Sequence, residues 1–284
     1  MKIGMKIRAP AKVNLWLRVV GRRSDGYHLI DSLMVPVGLY DEIEIMRAKG
    51  KSGMLTVTSD HPDVPSGSRN LAYQAASLLL GQRGVKDAVH IRIRKRIPVG
   101  AGLGGGSSDA AATLVGLNRL FRLKLPRREI LSLASRLGAD VPFFIYGRPA
   151  RARGIGERIK PLGSFPRLWM VIVYPGFGVS TRWVYQNVKL TKPGKHTSIN
   201  TLLRDPKKLV RLLSNDLEKV TIRRYPRIGL LKKRLIEESA AGALMAGSGS
   251  SVFGIFTSEQ HARKAWRRLG KERGIGAYLV RSLN

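Results

Sequence analysis

The stretch from residue 98 to residue 112, PVGAGLGGGSSDAAA, constrains the fold of this chain more than any other feature. It places five glycines between an alternating, strand-like segment and a segment with apolar residues at helical spacing. A glycine-rich turn at the start of a helix leaves backbone N–H groups unpaired at the positive end of the helix dipole. Because glycine has no side chain, a bulky anion can approach those groups closely. Ser107, Ser108 and Asp109 are residue types that favour the start of a helix. The pattern therefore predicts a phosphate-binding loop, with the hydroxyls of Ser107 and Ser108 as additional ligands.

The spacing of the glycines limits which known class of phosphate-binding loop this segment can belong to. A P-loop requires a lysine directly after its last glycine, and no lysine follows here. Gly100, Gly102 and Gly105 formally match the Gly-x-Gly-x-x-Gly pattern of dinucleotide-binding folds, which also calls for an acidic residue about 20 positions further on. Residues 119–128 hold five basic residues and no acid. A nicotinamide-dependent enzyme and a purely structural turn are therefore the weaker alternatives.

A polar pair lies near the start of the chain. Residues 6–20 alternate in polarity and predict a β-strand, with Val13 and every second residue after it on one face. Lys12 and Asn14 share the other face. A lone lysine on a strand is ordinarily solvated, so the pattern alone leaves the role of Lys12 open.

The segment after this strand is rich in turn-forming residues and ends in an aromatic residue followed by an imidazole. Residues 21–28 read GRRSDGYH, and an apolar alternating segment follows. The ring of Tyr27 could stack on a nucleobase, and the imidazole of His28 could bond to the edge of that base. A surface loop without function is the simpler interpretation of the same residues.

An isolated acid follows the second of two helices predicted after the glycine loop. Asp140 is the only carboxylate between Glu129 and Glu157, and it stands directly before a short helix expected near Pro142. Aspartate is a favoured helix cap, so capping alone would explain it. Its isolation among basic residues also makes it a candidate catalytic group.

The remaining periodicities predict an α+β chain with two domains. The turn-rich segment 158–166 marks the boundary, which gives domains 1–162 and 163–284. The second domain holds two strands flanking a Gly-Ser turn at 247–251. Helices are predicted at 70–80, 126–137, 202–213, 228–239 and 259–269, and strands at 168–174 and 277–283.

The composition excludes several classes of protein. The chain has no cysteine, which excludes disulfides and thiolate metal sites. We expect a cytoplasmic protein, because no apolar run reaches the length of a membrane span and the N-terminal residues lead into a strand pattern without a signal-peptide core.

The charge is unusual, with 51 Lys+Arg against 19 Asp+Glu and a formal net charge of +32. Such a field attracts polyanions, so an RNA-binding protein is the main alternative to an enzyme. The basic residues are spread over the whole chain without a nucleic-acid-binding motif, which favours a solvated basic surface.

Together these motifs resemble those of the GHMP kinases, in the same order along the chain. The matching segments are Pro10-Ala-Lys-Val-Asn14, Asp25-Gly-Tyr-His28, the glycine loop with Ser107 and Ser108, Gly138-Ala-Asp-Val-Pro142 and the turn 247–251. The resemblance implies a two-domain α+β fold. Its N-terminal domain would be related to the second domain of ribosomal protein S5, and its C-terminal domain would be ferredoxin-like.

The resemblance also implies roles for individual residues. Lys12 and Asp140 would be catalytic, with Asp140 accepting the proton of the attacking hydroxyl and Lys12 neutralising charge on the transferred group. The implied ATP-binding residues are Pro98, Val99, Gly100, Ala101, Gly102, Leu103, Gly104, Gly105, Gly106, Ser107 and Ser108. The implied substrate-binding residues are Asn14, Tyr27, His28, Thr181 and Tyr185.

The Asp-Gly-Tyr-His segment implies the branch of the family whose substrate carries a cytidine. The ligands would be ATP as co-substrate, Mg²⁺ carried by the nucleotide without a dedicated protein site, and a cytidylated methylerythritol phosphorylated on its 2-hydroxyl for isoprenoid synthesis. No specific nucleic acid and no membrane is expected as a partner, and the chain would be a monomer or homodimer. Another GHMP small-molecule kinase, or an RNA-binding protein with the S5-like fold, is the alternative.

Overall fold

The computed structural model of the chain describes residues 2–48, 53–188, 190 and 209–284. These residues form two compact units, and each unit is discontinuous in sequence. The first unit comprises Met1–Ala11, Leu39–Val99 and Gly104–Tyr146, and the second comprises Lys12–Gly38, Gly100–Leu103 and Gly147–Asn284. These compact units differ from the two continuous domains predicted from the sequence. The domain boundary after residue 162 stays a prediction.

The elements confirm the α+β class. The helices Leu71–Gln82, Arg127–Leu137, Pro226–Glu237 and Glu259–Leu269 confirm those predicted at 70–80, 126–137, 228–239 and 259–269. Residues 202–208 of the other predicted helix lie outside the described residues. The strand Leu55–Ser59, the hairpin of Ala150–Gly154 and Arg158–Pro161, and the helix Thr181–Asn187 had not been predicted. In chain order the elements are β1 (Lys2–Arg22), β2 (His28–Ala48), β3 (Leu55–Ser59), α1 (Leu71–Gln82), β4 (Ala88–Arg94), α2 (Gly105–Leu120), α3 (Arg127–Leu137), α4 (Val141–Tyr146), β5 (Ala150–Gly154), β6 (Arg158–Pro161), β7 (Trp169–Tyr174), α5 (Thr181–Asn187), β8 (Ser214–Asn215), α6 (Glu218–Arg224), α7 (Pro226–Glu237), β9 (Gly242–Met245), β10 (Val252–Phe256), α8 (Glu259–Leu269) and β11 (Gly276–Arg281).

The larger sheet has the strand order β3-β4-β2-β1-β8, with β5 paired to β2 and β6 paired to β5. In the first unit, the antiparallel register of β2 and β4 explains which face is buried. Ile43 pairs with Ile93 and Ile45 with Ile91, and all four side chains are buried. The alternate positions pair acids with bases, since Glu42 lies opposite Arg94 and Glu44 opposite Arg92. Period-two alternation therefore places the isoleucine pairs in the core and the opposite charges on the other face.

Helices α1 to α4 complete the first unit, and α2 packs against α1, α3 and α4. Its contact with the sheet depends on a residue that has no side chain. A Cβ built on Gly116 of α2 would lie 2.5 Å from the Cδ1 atoms of both Ile7 and Ile45. The glycine therefore allows the helix to lie close to the sheet, at the helix-propensity cost of an interior glycine.

The second unit contains a four-stranded antiparallel sheet of order β11-β7-β10-β9. Helices α7 and α8 pack against it. Val171 and Val173 of β7 lie in one hydrophobic cluster with Leu231 and Leu235 of α7 and with apolar residues of α8. This cluster forms a core for the unit because the helices bury their apolar stripes on one face of the sheet.

Part of strand β1 is buried on both of its faces. The residues from Ala11 to Leu17 are buried on both faces, including Lys12, Asn14 and Trp16. The sequence pattern left the exposure of the face with Lys12 and Asn14 open. Alternation of residue type shows which side chains share a face, but tertiary packing decides whether either face reaches water.

We predict that Gly116→Ala lowers the free energy of unfolding by about 1–3 kcal/mol, because the added methyl group overpacks the contact with Ile7 and Ile45. The matched control is Gly81→Ala in α1, where a Cβ would meet nothing within 4 Å. This control should gain up to about 1 kcal/mol from helix propensity. Urea unfolding of both variants measures the difference, and equal effects would contradict the packing argument.

Candidate active site

The glycine loop ends at the start of α2, three residues earlier than a cap at Ser107 would give. Gly104 is the N-cap with φ 73°, a left-handed conformation that favours glycine, and the helix begins at Gly105. Ser107 and Ser108, expected as helix-start residues, therefore lie inside the first turns. Ser108 is 1% exposed, and its Oγ has no hydrogen-bond partner among the described residues. A buried hydroxyl without a partner at the positive end of a helix suits a phosphate oxygen.

The part of the loop that belongs to the second unit packs tightly against the Gly-Ser turn after β9. Gly102 has φ 77°, and a Cβ there would lie 1.9 Å from the carbonyl oxygen of Ala246. The backbone N–H of Ser251 donates to the carbonyl of Ala101 at 3.2 Å. The two backbones are therefore in direct contact, and no residue other than glycine fits at position 102 without moving the turn.

Lys12 lies beside this contact. Its side chain is inside the second unit, with only 5% of the residue exposed, and its Nζ donates to Oδ1 of Asn14 at 2.7 Å. A Cβ on Gly247 would lie 3.3 Å from the same Nζ, and the backbone N–H of Lys12 donates to the carbonyl of Leu103 at 2.9 Å. The ammonium is therefore held at the meeting point of the opening strand, the glycine loop and the Gly-Ser turn.

Asn14 is itself held in place by a second hydrogen bond. Its Nδ2 donates to Oγ of Ser32 on β2 at 2.8 Å, and that hydroxyl donates to the carbonyl of Trp16 at 2.7 Å. This chain fixes the orientation of the amide that accepts from Lys12. Ser32 was missed by the sequence reasoning, because nothing in the sequence pairs it with a residue 18 positions away. A contact of Asn14 with the substrate stays a prediction.

Asn215 fixes the Gly-Ser turn. The sequence patterns did not identify this residue as part of the site. Strand β8 pairs in parallel with β1, with Asn215 opposite Leu17. The buried Asn215 side chain donates to the carbonyls of Met245 at 2.9 Å and Gly247 at 2.7 Å, and it accepts from the N–H of Leu217 at 3.0 Å. Strand β8 is only two residues long, so no periodicity could have revealed it.

The Asp-Gly-Tyr-His segment forms a tight turn that leads into β2. The carboxylate of Asp25 accepts from the N–H of Tyr27 at 3.2 Å, and Gly26 has φ 88°. Tyr27 is 60% exposed, and the centroid of the His28 ring lies 5.4 Å from that of Tyr185. Partial burial, together with the Arg22 cation, lowers the pKa of His28. The turn thus presents an exposed phenol ring beside a neutral imidazole supported by a second phenol ring.

Helix α5 carries the other two residues expected to bind substrate. It begins after Ser180, whose side chain accepts from the N–H of Trp183 as an N-cap. Thr181 and Tyr185 are four residues apart and share one face of the helix. The Thr181 hydroxyl is hydrogen-bonded to the Ser248 hydroxyl at 2.8 Å, which links α5 to the Gly-Ser turn. Tyr185 contacts His28, so α5 connects the Gly-Ser turn with the turn at residues 25–28.

Asp140 lies in the first unit, directly before α4, and is partly buried. Helix α4 packs against α2, the helix that begins at the glycine loop. The first unit also holds Pro98, Val99 and Gly104 to Ser108. The second unit brings together Lys12, Asn14, His28, Tyr185, Thr181 and the loop residues Gly100, Ala101, Gly102 and Leu103.

Among the described residues no cluster of three or more His, Asp or Glu side chains could hold a metal ion. The polar groups at the glycine loop suit phosphate rather than a dedicated metal site. In the part of the chain that the structure covers, no helix is long and apolar enough to cross a membrane.

Comparison with known proteins assigns the family. Residues 70–148 match the GHMP kinases N terminal domain, and residues 199–276 match the GHMP kinases C terminal family. The chain belongs to the GHMP kinase family and is an ATP-dependent small-molecule kinase. The predicted two-domain GHMP kinase fold is thereby confirmed.

Within this family, the chain is similar over nearly its full length to several proteins that share one name. The chain is 47% identical to 4-diphosphocytidyl-2-C-methyl-D-erythritol kinase of Citrifermentans bemidjiense, over 98% of this chain and 99% of the relative. It is 45% identical to the protein of the same name from Syntrophotalea carbinolica, over 97% of this chain and 98% of the relative. A crystal structure of 4-(cytidine 5'-diphospho)-2C-methyl-D-erythritol kinase superposes with a TM-score of 0.84 at 39% identity, covering 99% of this chain and 100% of the other.

The same architecture extends to more distant kinases. Homoserine kinase from Cytophaga hutchinsonii gives a TM-score of 0.72 at 21% identity, over 99% of this chain and 94% of the other. That likeness concerns the fold alone. The choice of substrate within the family therefore has to be argued from the site.

We predict that Asn215→Ala lowers the free energy of unfolding by about 2–4 kcal/mol, because two buried carbonyls and one N–H lose their partner. Chemical denaturation measures the loss. Asn187→Ala is the control, since this exposed amide donates to a single carbonyl in α5. It should change stability by no more than about 0.5 kcal/mol. Similar losses in both variants would show that Asn215 does not fix the turn.

Proposed function

We propose that this chain transfers the γ-phosphate of ATP to the 2-hydroxyl of 4-diphosphocytidyl-2-C-methyl-D-erythritol, in the non-mevalonate route to isoprenoid precursors. The observation that carries the choice of substrate is the Asp25 turn, which leaves the Tyr27 ring exposed and holds His28 against the Tyr185 ring. A kinase of a sugar, homoserine or mevalonate has no nucleobase to bind there. The two full-length relatives carry the name of the kinase for this substrate.

The glycine loop is the proposed phosphate-binding element. The N–H groups at the start of α2 and the hydroxyls of Ser107 and Ser108 would hold the phosphate oxygens of ATP. The unpartnered Oγ of Ser108 supports this assignment, because a buried hydroxyl gains a hydrogen bond when the phosphate is present. The remaining residues proposed to bind ATP are those from Pro98 to Gly106.

Asp140 and Lys12 are the proposed catalytic residues. The substrate hydroxyl oxygen forms a bond to the γ-phosphorus while the bond from that phosphorus to the bridging oxygen of ADP breaks. Asp140 accepts the hydroxyl proton, a role that contributes about 10²–10⁴-fold in other enzymes. The Lys12 ammonium neutralises charge on the transferred phosphoryl group, since phosphoryl transfer requires mainly positioning and charge stabilisation. Asn14 supports this role by fixing the direction of the ammonium.

The cytidine would be bound by the exposed Tyr27 ring and the His28 imidazole. Because burial and Arg22 lower the pKa of His28, the ring is neutral at pH 7 and can donate one hydrogen bond and accept another. Tyr185 would support His28 from its other side and, with Thr181 on the same helix face, contact the substrate.

The metal ion, the domain boundary, the location and the oligomeric state complete the proposal. Mg²⁺ would enter with the phosphates of ATP and keep mostly water ligands, because this ion dehydrates reluctantly and often has few protein ligands. The domains at 1–162 and 163–284, the cytoplasmic location and the monomeric or homodimeric state remain predictions. RNA binding, the alternative suggested by the net charge of +32, is not favoured, since the full-length relatives are named as kinases.

The defining experiment measures ADP release by the purified chain with a panel of alcohols. Turnover should require the cytidylated methylerythritol and be absent with galactose, homoserine or mevalonate. Equal turnover of any of these three would overturn the proposed substrate. Steeply salt-dependent RNA binding without ATP turnover would support the RNA-binding alternative instead.

We predict that Asp140→Asn lowers kcat by about 10²–10⁴-fold, since the amide cannot accept the hydroxyl proton. The Kd for ATP, measured by calorimetry, should stay within about threefold of the unchanged enzyme. Asp63→Asn, which alters an exposed carboxylate of the same unit, is the control and should retain full activity. Full turnover by Asp140→Asn would remove Asp140 from the mechanism.

We predict that Tyr185→Leu raises KM for the cytidylated substrate by about 5- to 100-fold, because stacking of a base on aromatic rings is worth about 1–3 kcal/mol. Tyr185→Phe retains the ring and should behave nearly as the unchanged enzyme. Initial-rate kinetics with both substrates varied separates the effects. An equal rise in KM for ATP would show that the ring does not act through the cytidine.

A further inference from the structure

Three buried charged side chains lie together beside the glycine loop, and the proposed mechanism does not use them. The Lys95 Nζ donates to Oδ2 of Asp41 at 2.5 Å and to Oδ2 of Asp109 at 2.9 Å. The side chains are 4% exposed for Lys95, 0% for Asp41 and 4% for Asp109. All three residues belong to the first unit. Burying three charges costs solvation free energy, which only good mutual geometry offsets.

The cluster joins the two ends of the glycine loop. Lys95 lies shortly before the loop in sequence, and Asp109 lies in α2, one residue after Ser108. A Cβ on Gly105 would lie 2.8 Å from the Lys95 Nζ, so the ammonium lies against the first residue of α2. The cluster therefore lies next to the amides and hydroxyls that are proposed to hold phosphate.

The partners of the two carboxylates are unequal. Asp41 accepts from Lys95 and also from the backbone N–H groups of Arg96 at 2.6 Å and Ile97 at 2.8 Å. These donors suit an ionised carboxylate. In contrast, Oδ1 of Asp109 is buried and has no hydrogen-bond partner among the described residues. Lys95 and Asp41 form a neutral pair, so Asp109 decides the net charge of the cluster.

Burial raises the pKa of Asp109 to about 7, against the lowering effect of Lys95 and with a further rise from Asp41. Burial also disfavours the Lys95 ammonium, but the two carboxylates outweigh it and raise the pKa of Lys95. The cluster is therefore neutral when Asp109 is protonated and carries one negative charge when Asp109 is ionised.

We propose that Lys95, Asp41 and Asp109 are positioning residues of the phosphate loop, and that the charge of Asp109 sets how tightly the loop holds ATP. The proposal rests on the proposed function, in which this loop binds the phosphates. A buried negative charge next to the start of α2 opposes the binding of an anion, because electrostatic interactions are strong where water is excluded. Binding is then weaker when Asp109 is ionised.

The other charged groups near α2 are more exposed than Asp109. The exposed Asp60 accepts from the backbone N–H of Lys95 at 2.8 Å. On α3, Glu129 forms an ion pair with Arg83 at the surface. Helices α1 and α4 carry no charged side chain within their bounds, and Asp140 directly precedes α4. Of these groups, Asp109 belongs to the helix that starts at the loop and is buried against Lys95.

The test compares the Kd for MgATP of the unchanged chain with that of Asp109→Asn, by calorimetry from pH 6 to pH 8.5 without the second substrate. The amide keeps an acceptor for Lys95 but cannot ionise. The two proteins should bind ATP alike at pH 6, and the unchanged chain should bind about 3- to 10-fold more weakly than the variant at pH 8.5. Taking the ratio at each pH cancels the titration of ATP itself.

Asp63→Asn is the matched control and should follow the pH dependence of the unchanged chain. A ratio that does not change with pH would overturn the proposal, even if the variant is less stable. Failure of the unchanged chain to bind ATP at any pH would instead contradict the proposed function.

A second measurement needs no variant of the cluster. If ionised Asp109 weakens binding, then MgATP binding near pH 7.5 must take up protons. Calorimetry in buffers of different ionisation enthalpy should reveal this uptake. Binding without proton uptake would contradict the proposal. This test therefore remains decisive even if Asp109→Asn does not fold.

Discussion

In the second unit, the backbone at Gly102 contacts the backbone at Ala246. The positions of Lys12, Asn215 and Thr181 around the Gly-Ser turn depend on this contact. A methyl group at position 102 would have to occupy a space 1.9 Å from a carbonyl oxygen. Because the loop and the turn meet without side chains between them, the Lys12 ammonium can lie beside both. Asn215 fixes the turn from behind, and the Thr181 hydroxyl joins it through Ser248. Glycine is therefore required here for close approach as well as for its left-handed φ.

Two buried lysines lie beside residues of the glycine loop, Lys12 at Leu103 and Lys95 at Gly105, and their side chains have different partners. The amide of Asn14 accepts a hydrogen bond from the Lys12 ammonium and orients it. Lys95 is held between two carboxylates, which do cancel its charge. The first arrangement suits a cation that must act on a phosphoryl group, whereas the second suits a cation that holds two segments together.

Local sequence patterns predicted those parts of the structure that depend on neighbours in the chain. The glycine loop, the Asp25 turn and helix α3 with its flanking Pro126 and Gly138 follow from residues a few positions apart. The start of α2 was predicted too late, because Gly104 caps the helix through its backbone conformation rather than through a side chain. Ser32, Asn215 and Asp41 could not be found from the sequence, since each acts on a residue at least 18 positions away. Such pairings depend on strand register, which periodicity does not specify.

The discontinuity of the two units has a consequence for synthesis on the ribosome. Every residue of the first unit has been made once residue 146 is added, whereas the second unit needs both residues 12–38 and the C-terminal sheet. The apolar side chains of Leu15 and Leu17, buried in the finished protein, must wait for more than half of the chain before their unit is complete. A nascent chain of this length thus carries a folded part together with an apolar strand segment exposed to water, which is the kind of surface that chaperones recognise.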